Sequence, residues 1–166
     1  MVATIGTGFG VCVVRDGGPV GRGVVGGGIL GGQIPISEAT DGPVDTSGRP
    51  DSIEAFCRAD RIVAEAGSRF SSVQEVFEAH RSGDQDASAA LDRYRRHLAR
   101  AVAALAHAHA PEVVVLGGGP MTEDTPILDG LQQLVDERAW PGYSVEVRRA
   151  SLGDAAALAG LAHLSR

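Results

Sequence analysis

Aromatic residues make up only 4% of this 166-residue chain, although 43% of it is hydrophobic. A core of that composition is built from Val, Leu, Ile and Ala, the mixture of sheets covered by helices, so an α/β or α+β domain is expected. Lysine is missing: all 15 basic residues are Arg, against 21 acidic ones, for a formal net charge of −6. No long basic run is present, which argues against nucleic acid as the main partner. The cluster Arg93, Arg95, Arg96 and Arg100 beside Asp92 lies in a helical pattern and reads as a solvated face. Cysteine is scarce. Cys12 and Cys57 fall in an apolar strand pattern and a helical pattern, with no second thiol at disulfide or metal-ligand spacing. Buried, reduced thiols and a cytoplasmic location are expected. No stretch approaches the roughly 18 apolar residues of a membrane span, and the N-terminus has no charged region followed by an apolar one. A soluble protein with no membrane contact is expected.

Glycine and the branched aliphatics carry the pattern that is present. Val2 to Ile5 and Val11 to Val14 are strand-like runs joined by Gly6-Thr7-Gly8-Phe9-Gly10, and Asp16-Gly17-Gly18 signals a hairpin before Pro19 to Val25. The result is an antiparallel β meander. From Gly26 to Pro50 the chain is crowded with turn residues, with one short strand candidate at Gln33 to Ile36. Asp51-Ser52 caps a helix reaching about Ala66, with Glu54 in its first turn. A second helix runs from about Ser72 to Arg81. In a third, Leu91, Tyr94, Leu98, Ala101, Val102, Leu105 and Ala108 recur at spacings of three and four and draw one apolar stripe. Pro111 stops it. Val113 to Leu116 reads as a strand covered on both faces, ended by Gly117-Gly118-Gly119. A helix from about Thr125 to Glu137, a strand from Tyr143 to Arg149 and a helix from Asp154 to Leu164 complete the chain.

Two glycine loops are candidates for chemistry. Glycines in Gly6-Thr7-Gly8-Phe9-Gly10 allow positive φ and let backbone N–H groups approach an anion, and Thr7 adds a hydroxyl. A plain tight turn needs the same glycines. Gly117-Gly118-Gly119 follows a strand and precedes a helix, where amides and a helix start can meet a nucleotide. It has neither the Walker nor the Rossmann spacing.

Taken together, these pieces resemble the second half of the ROK family, sugar kinases and sugar-responsive repressors of the actin-like ATPase superfold. Ile5 to Gly10 is similar to that family's second phosphate loop, and Pro111 to Gly119 to its adenosine-binding strand and loop. Ser52-Ile53-Glu54-Ala55-Phe56, Ala90-Leu91-Asp92-Arg93-Tyr94 and Leu152-Gly153-Asp154-Ala155 follow in family order. The resemblance implies a single domain over residues 1–166, equivalent to the C-terminal lobe, with a ribonuclease H-like fold: an antiparallel meander, then helices, then β-α-β-α. It implies an ATP or ADP site, with Mg, at Gly6, Thr7, Gly8, Gly10, Gly117, Gly118 and Gly119, and sugar contacts at Glu54 and Gln33. The family's first phosphate loop and catalytic Asp precede the second loop, where this chain starts. No catalytic residue is therefore assigned, and phosphorylation by this chain alone is not expected; such a base is worth about 10²–10⁴ in rate.

The family's zinc site pairs a Glu-x-Gly-His element with a Cys-x-Cys-x4-Cys pattern. Here the first aligns with Gln33-Ile34-Pro35-Ile36, and the cysteine positions fall on Asp45, Ser47 and Ser52. Structural zinc takes thiolate or imidazole ligands, so no zinc is expected and the loop over about residues 26–50 is expected to be mobile. Three readings follow from the resemblance. The chain is the C-terminal lobe of a split or truncated sugar kinase that works with a separately encoded N-terminal lobe, or a non-catalytic sugar- or nucleotide-binding regulatory module, or a remnant that dimerises. A homodimer is expected because this lobe carries much of the subunit contact in related proteins.

Overall fold

Apolar residues at the start of the chain find their partners within a few positions, because the glycine turn lets the backbone reverse at once. The computed structural model describes residues 1–21, 29–38 and 40–164. Strand β1 (Val2–Ile5) pairs antiparallel with β2 (Phe9–Cys12), Ile5 opposite Phe9. Strands β3 (Val14–Arg15) and β4 (Gly18–Pro19) form a second hairpin, with Asp16 and Gly17 at φ 52° and 77°, the positive values a tight two-residue turn demands. Of the strand expected over Pro19 to Val25, Pro19 is in β4 and residues 22–28 lie outside the described residues. Ile29 bridges antiparallel to Val11, on the free edge of β2.

The helix expected from Asp51 to Ala66 is two helices, α1 (Ile53–Cys57) and α2 (Asp60–Ala66). Ser52 caps the first: its Oγ accepts from the Ala55 N–H at 3.2 Å. At Arg58 the backbone is extended, with ψ 156°, and the next N–H, that of Ala59, donates to the Gly6 carbonyl at 2.9 Å. The break is thus made by a contact with the first glycine turn. Helix α3 (Val73–Arg81) starts at Ser72 as expected.

The long helix is α4 (Gln85–His109). Leu91, Tyr94, Leu98, Ala101, Val102 and Leu105 are all fully buried against α1, α2, α3 and α5 (Leu131–Asp136), so the apolar stripe faces this chain's own core. Ala108, in the last turn, is exposed instead. Tyr94 Oη donates to the Cys57 carbonyl at 2.9 Å, fastening α4 to α1. Arg95 corrects the expectation of a solvated basic face. It is 6% exposed, its Nε and Nη2 donate to the Pro126 carbonyl at 3.0 and 2.8 Å, and its Nη1 meets Asp92. Arg93, Arg96 and Arg100 are exposed as expected.

Beyond Ala110, in the left-handed region at φ 45°, strand β5 (Val113–Gly117) runs parallel to β1, and β6 (Glu146–Arg149) runs parallel to β5. The sheet order is β2-β1-β5-β6. Val114 and Leu116 are fully buried, whereas Val113 and Val115 are half-buried, so β5 is covered completely on one face only. Helix α6 (Ala156–Leu164) closes the chain. Together the elements form one lobe of mixed α/β architecture, a sheet on a helical layer.

Three shorter expectations change. Gln33 to Ile36 is not a sheet strand: Gly31–Gln33 form a single 3₁₀ turn and Pro35, without an N–H, makes only an isolated bridge to Ser52. The helix expected over Thr125 to Glu137 is a 3₁₀ turn at Pro126–Leu128 and then α5, divided by Gly130 at φ 71°. Cys57 is buried, but Cys12 is exposed on β2. Because Leu98 is fully buried at the centre of this packing, Leu98→Ala is expected to cost about 2–5 kcal/mol, read as a lowered urea midpoint with little change in slope.

Candidate functional site

Strands β1 and β5 run in the same direction with Thr4 opposite Gly117, so both chains leave the sheet at the same edge. Ligands gather at such carboxyl ends of parallel strands. The loops that follow are the two glycine candidates, now side by side. Gly118 has φ 104°, and a Cβ placed on it would lie 2.0 Å from the Ile5 carbonyl oxygen. The second loop therefore crosses directly over the end of β1, backbone against backbone.

Together they border an open cleft of about 470 Å³. Gly6, Thr7, Gly8, Gly10, Gly118, Gly119 and Glu54 all line it. Gly117 does not: it is a buried strand residue, 3.3 Å from Ala150 when given a Cβ. Gln33 is not among the lining residues either, although it directly follows Gly32, whose Cβ position lies 3.6 Å from the Glu54 side chain. The glycines have different duties. A Cβ on Gly10 would meet Thr4 Oγ1 at 2.7 Å and one on Gly8 would meet Glu54 Oε2 at 3.0 Å, whereas Gly6 and Gly119 have open space in front of them. Thr7 and Gly119 are exposed and take part in no hydrogen bond among the described residues. Their amides and the Thr7 hydroxyl are donors free to meet an anion.

Glu54 supplies the only carboxylate on this cleft among the described residues. Its residue is buried, 6% exposed, at the start of α1. Oε2 accepts from the Phe9 N–H at 3.2 Å, and Oε1 accepts from the Thr46 N–H at 2.9 Å and the Thr46 hydroxyl at 2.6 Å. Burial pushes this carboxyl up, but the bonds from the Thr46 hydroxyl, the Thr46 N–H and the Phe9 N–H outweigh it and hold the group below its ordinary value. Glu54 is an ionised, oriented acceptor at neutral pH. Sequence patterns did not single out Thr46, Thr4 or Ala59 for this site. A lone loop threonine leaves no periodic signal, and the Ala59 N–H finds its partner at Gly6, far back in the chain.

A model of the ROK family matches residues 1–166. A ROK family glucokinase from Streptomyces griseus, solved with glucose and AMPPNP, is similar with a TM-score of 0.84 and 24% identity, over 98% of this chain and 59% of that one. A ROK hexokinase from Thermus thermophilus gives 0.83 and 28% identity, over 98% and 55%. A ROK family transcriptional regulator, a homologue of the E. coli MLC protein, gives 0.72 and 20% identity, over 89% and 40%. The chain spans a little over half the length of either kinase. No curated protein matches. The fold is that of an actin-like ATPase lobe.

The glycine geometry separates scaffold from surface. Gly118→Ala puts a Cβ into the Ile5 backbone at a positive φ and is expected to destabilise the fold by at least ~2 kcal/mol, measured as a lowered urea midpoint. Gly119→Ala, in open space, is expected to stay within about 0.5 kcal/mol of the parent in the same measurement.

Proposed function

The chain belongs to the ROK family, and on that premise we propose that it forms the nucleotide-holding wall of a sugar kinase cleft, which transfers phosphate only when a second lobe closes the other side. One observation carries this reading: the Gly6–Gly10 turn, the Gly118–Gly119 corner and Glu54 meet in one open cleft. Phosphates of ATP or ADP fit the turn, where Thr7 and Gly119 offer unclaimed donors and Gly6 leaves room for close approach. Glu54, fixed by its three donors, accepts from a sugar hydroxyl.

Glu54 does not suit the role of general base, because three hydrogen bonds already stabilise its charged form and lower its affinity for a proton. No other carboxylate lines the cleft among the described residues. The base for the sugar hydroxyl and the facing wall therefore come from the second lobe, and any Mg would travel with the nucleotide phosphates. Helix α6 supports a partner lobe, because its Leu158 and Leu161 are 71% and 64% exposed. A nine-residue helix is marginal in water without a packing surface. A homodimer through the α4 stripe has less support, since those side chains are spent in the core. ATP use and unpaired cysteines fit the cytoplasm, and no helix among the described residues is long and apolar enough to cross a membrane.

Calorimetry with ATP, ADP and a panel of hexoses and N-acetylhexosamines tests the reading. Nucleotide binding is expected, weakened at least about tenfold by Gly119→Val, which fills the open side of the loop without touching Ile5. Glu54→Gln is expected to weaken hexose binding by about 1.5–3 kcal/mol while leaving nucleotide affinity in place. Absence of nucleotide binding at millimolar concentration would sink the proposal, as would sugar phosphorylation by this chain alone. Binding of both ligands with no turnover even beside a matching lobe would point to the regulatory reading.

A further inference from the structure

Asp45 is a carboxylate only 3% exposed, and it lies outside the cleft. Its Oδ1 accepts three hydrogen bonds, from the Ser47 N–H at 2.8 Å, the Ser47 hydroxyl at 2.7 Å and the Arg49 N–H at 3.0 Å. Its Oδ2 accepts from the Ser52 hydroxyl at 2.8 Å. The backbone adds two more ties, Asp45 N–H to the Arg49 carbonyl and Gly48 N–H to the Asp45 carbonyl. One buried oxygen pair thus gathers the whole turn from residue 45 to the cap of α1. The donors also satisfy the charge: burial pushes the Asp45 carboxyl up, but these four bonds prevail and bring it down to about 2.

These are the positions where the family resemblance implies cysteine ligands to zinc, and the residues present do not fit that metal. One carboxylate and two neutral hydroxyls stand in place of thiolates, and both hydroxyls are spent as donors to the carboxylate. The Ser52 hydroxyl also accepts from the Ala55 N–H as the helix cap. Among the described residues no group of three His, Cys, Asp or Glu side chains could hold an ion.

The residue between the hub and its first donor is Thr46, and Thr46 supplies two of the three hydrogen bonds on Glu54. From this we infer that Asp45 is a positioning residue: its carboxylate crosslinks the turn by hydrogen bonds in the place of a metal, and so holds Thr46 against Glu54 and Glu54 against the Phe9 amide. The chain of contacts is continuous, from Ser47, Arg49 and Ser52 to Asp45, through the backbone to Thr46, then to Glu54, then to the first glycine turn. A carboxylate hub suits this task because charge-assisted hydrogen bonds are the strong, directional ones, and because both its oxygens accept from donors between the turn and the α1 cap. The inference rests on Glu54 belonging to the cleft, yet its test needs no ligand, so it can fail independently of nucleotide or sugar binding.

The test is amide hydrogen exchange and the Glu54 carboxyl ¹³C shift, read by NMR on the full chain. Asp45→Ala and Thr46→Val are expected to speed exchange of the Phe9 amide about tenfold or more and to move the Glu54 carboxyl signal, while β5 amides keep their protection. Thr46→Ser keeps the hydroxyl and is expected to restore the parent signal, which a merely packed methyl would not do. Zinc or a chelator is expected to change nothing in the parent. If Asp45→Ala also strips protection from β5, Ser47→Ala decides, because it removes one side-chain donor and leaves the others; a moved Glu54 signal supports the hub. An unmoved Glu54 signal in the variants that stay folded would overturn it, and so would loop protection in the parent that depends on added zinc.

Discussion

The parallel pairing of β1 with β5, and the passage of Gly118 over the Ile5 carbonyl that it permits, is the constraint on which the cleft depends. The two strands are separated by more than a hundred residues, yet their register of Thr4 on Gly117 brings both glycine loops to one edge of the sheet. A side chain at 118 could not occupy that crossing, so glycine is required there for steric reasons before any ligand is considered. The long helix α4 makes the pairing possible. It carries the chain back beneath the sheet so that β5 can enter parallel to β1, and its buried stripe supplies much of the apolar area that holds the arrangement together.

On that scaffold the cleft has two kinds of surface. The glycine loops present backbone and open space, which suits phosphate oxygens. Glu54 presents a single oriented charge whose donors come from two other segments, Phe9 in the turn and Thr46 in the preceding loop. The bend between α1 and α2 joins these parts, because Ala59 donates to Gly6 while Glu54 at the other end of α1 accepts from Phe9. One short helix is thereby pinned to the glycine turn at both ends, and movement of either would displace the other.

The same economy explains which residues remain exposed. Arg95 is drawn in by the Pro126 carbonyl and fixes the segment after the second loop, whereas Arg93 pairs with Glu65 at the surface. The apolar stripe of α4 from Leu91 to Leu105 is buried within the lobe, whereas Leu158 and Leu161 of α6 are exposed. A partner lobe, in the reading proposed above, has its most obvious foothold on α6.

Much of this was legible from residues alone. The glycine loops stood out as glycine runs beside strand patterns, although of their glycines only Gly118 is held at a positive φ, and α4 did because a stripe at spacings of three and four has no other regular explanation. Ser52 and Ser72 marked helix starts through the unpaired amides that every helix must cap. What sequence by itself determined were these local demands: where the chain turns, where a helix begins, and which face is apolar. The tertiary structure alone decided the break at Arg58, the burial of Arg95, and the convergence of Thr46, Glu54 and Phe9. Each rests on hydrogen bonds to carbonyls, amides or carboxylates far along or across the chain, and such partners leave no periodicity to read.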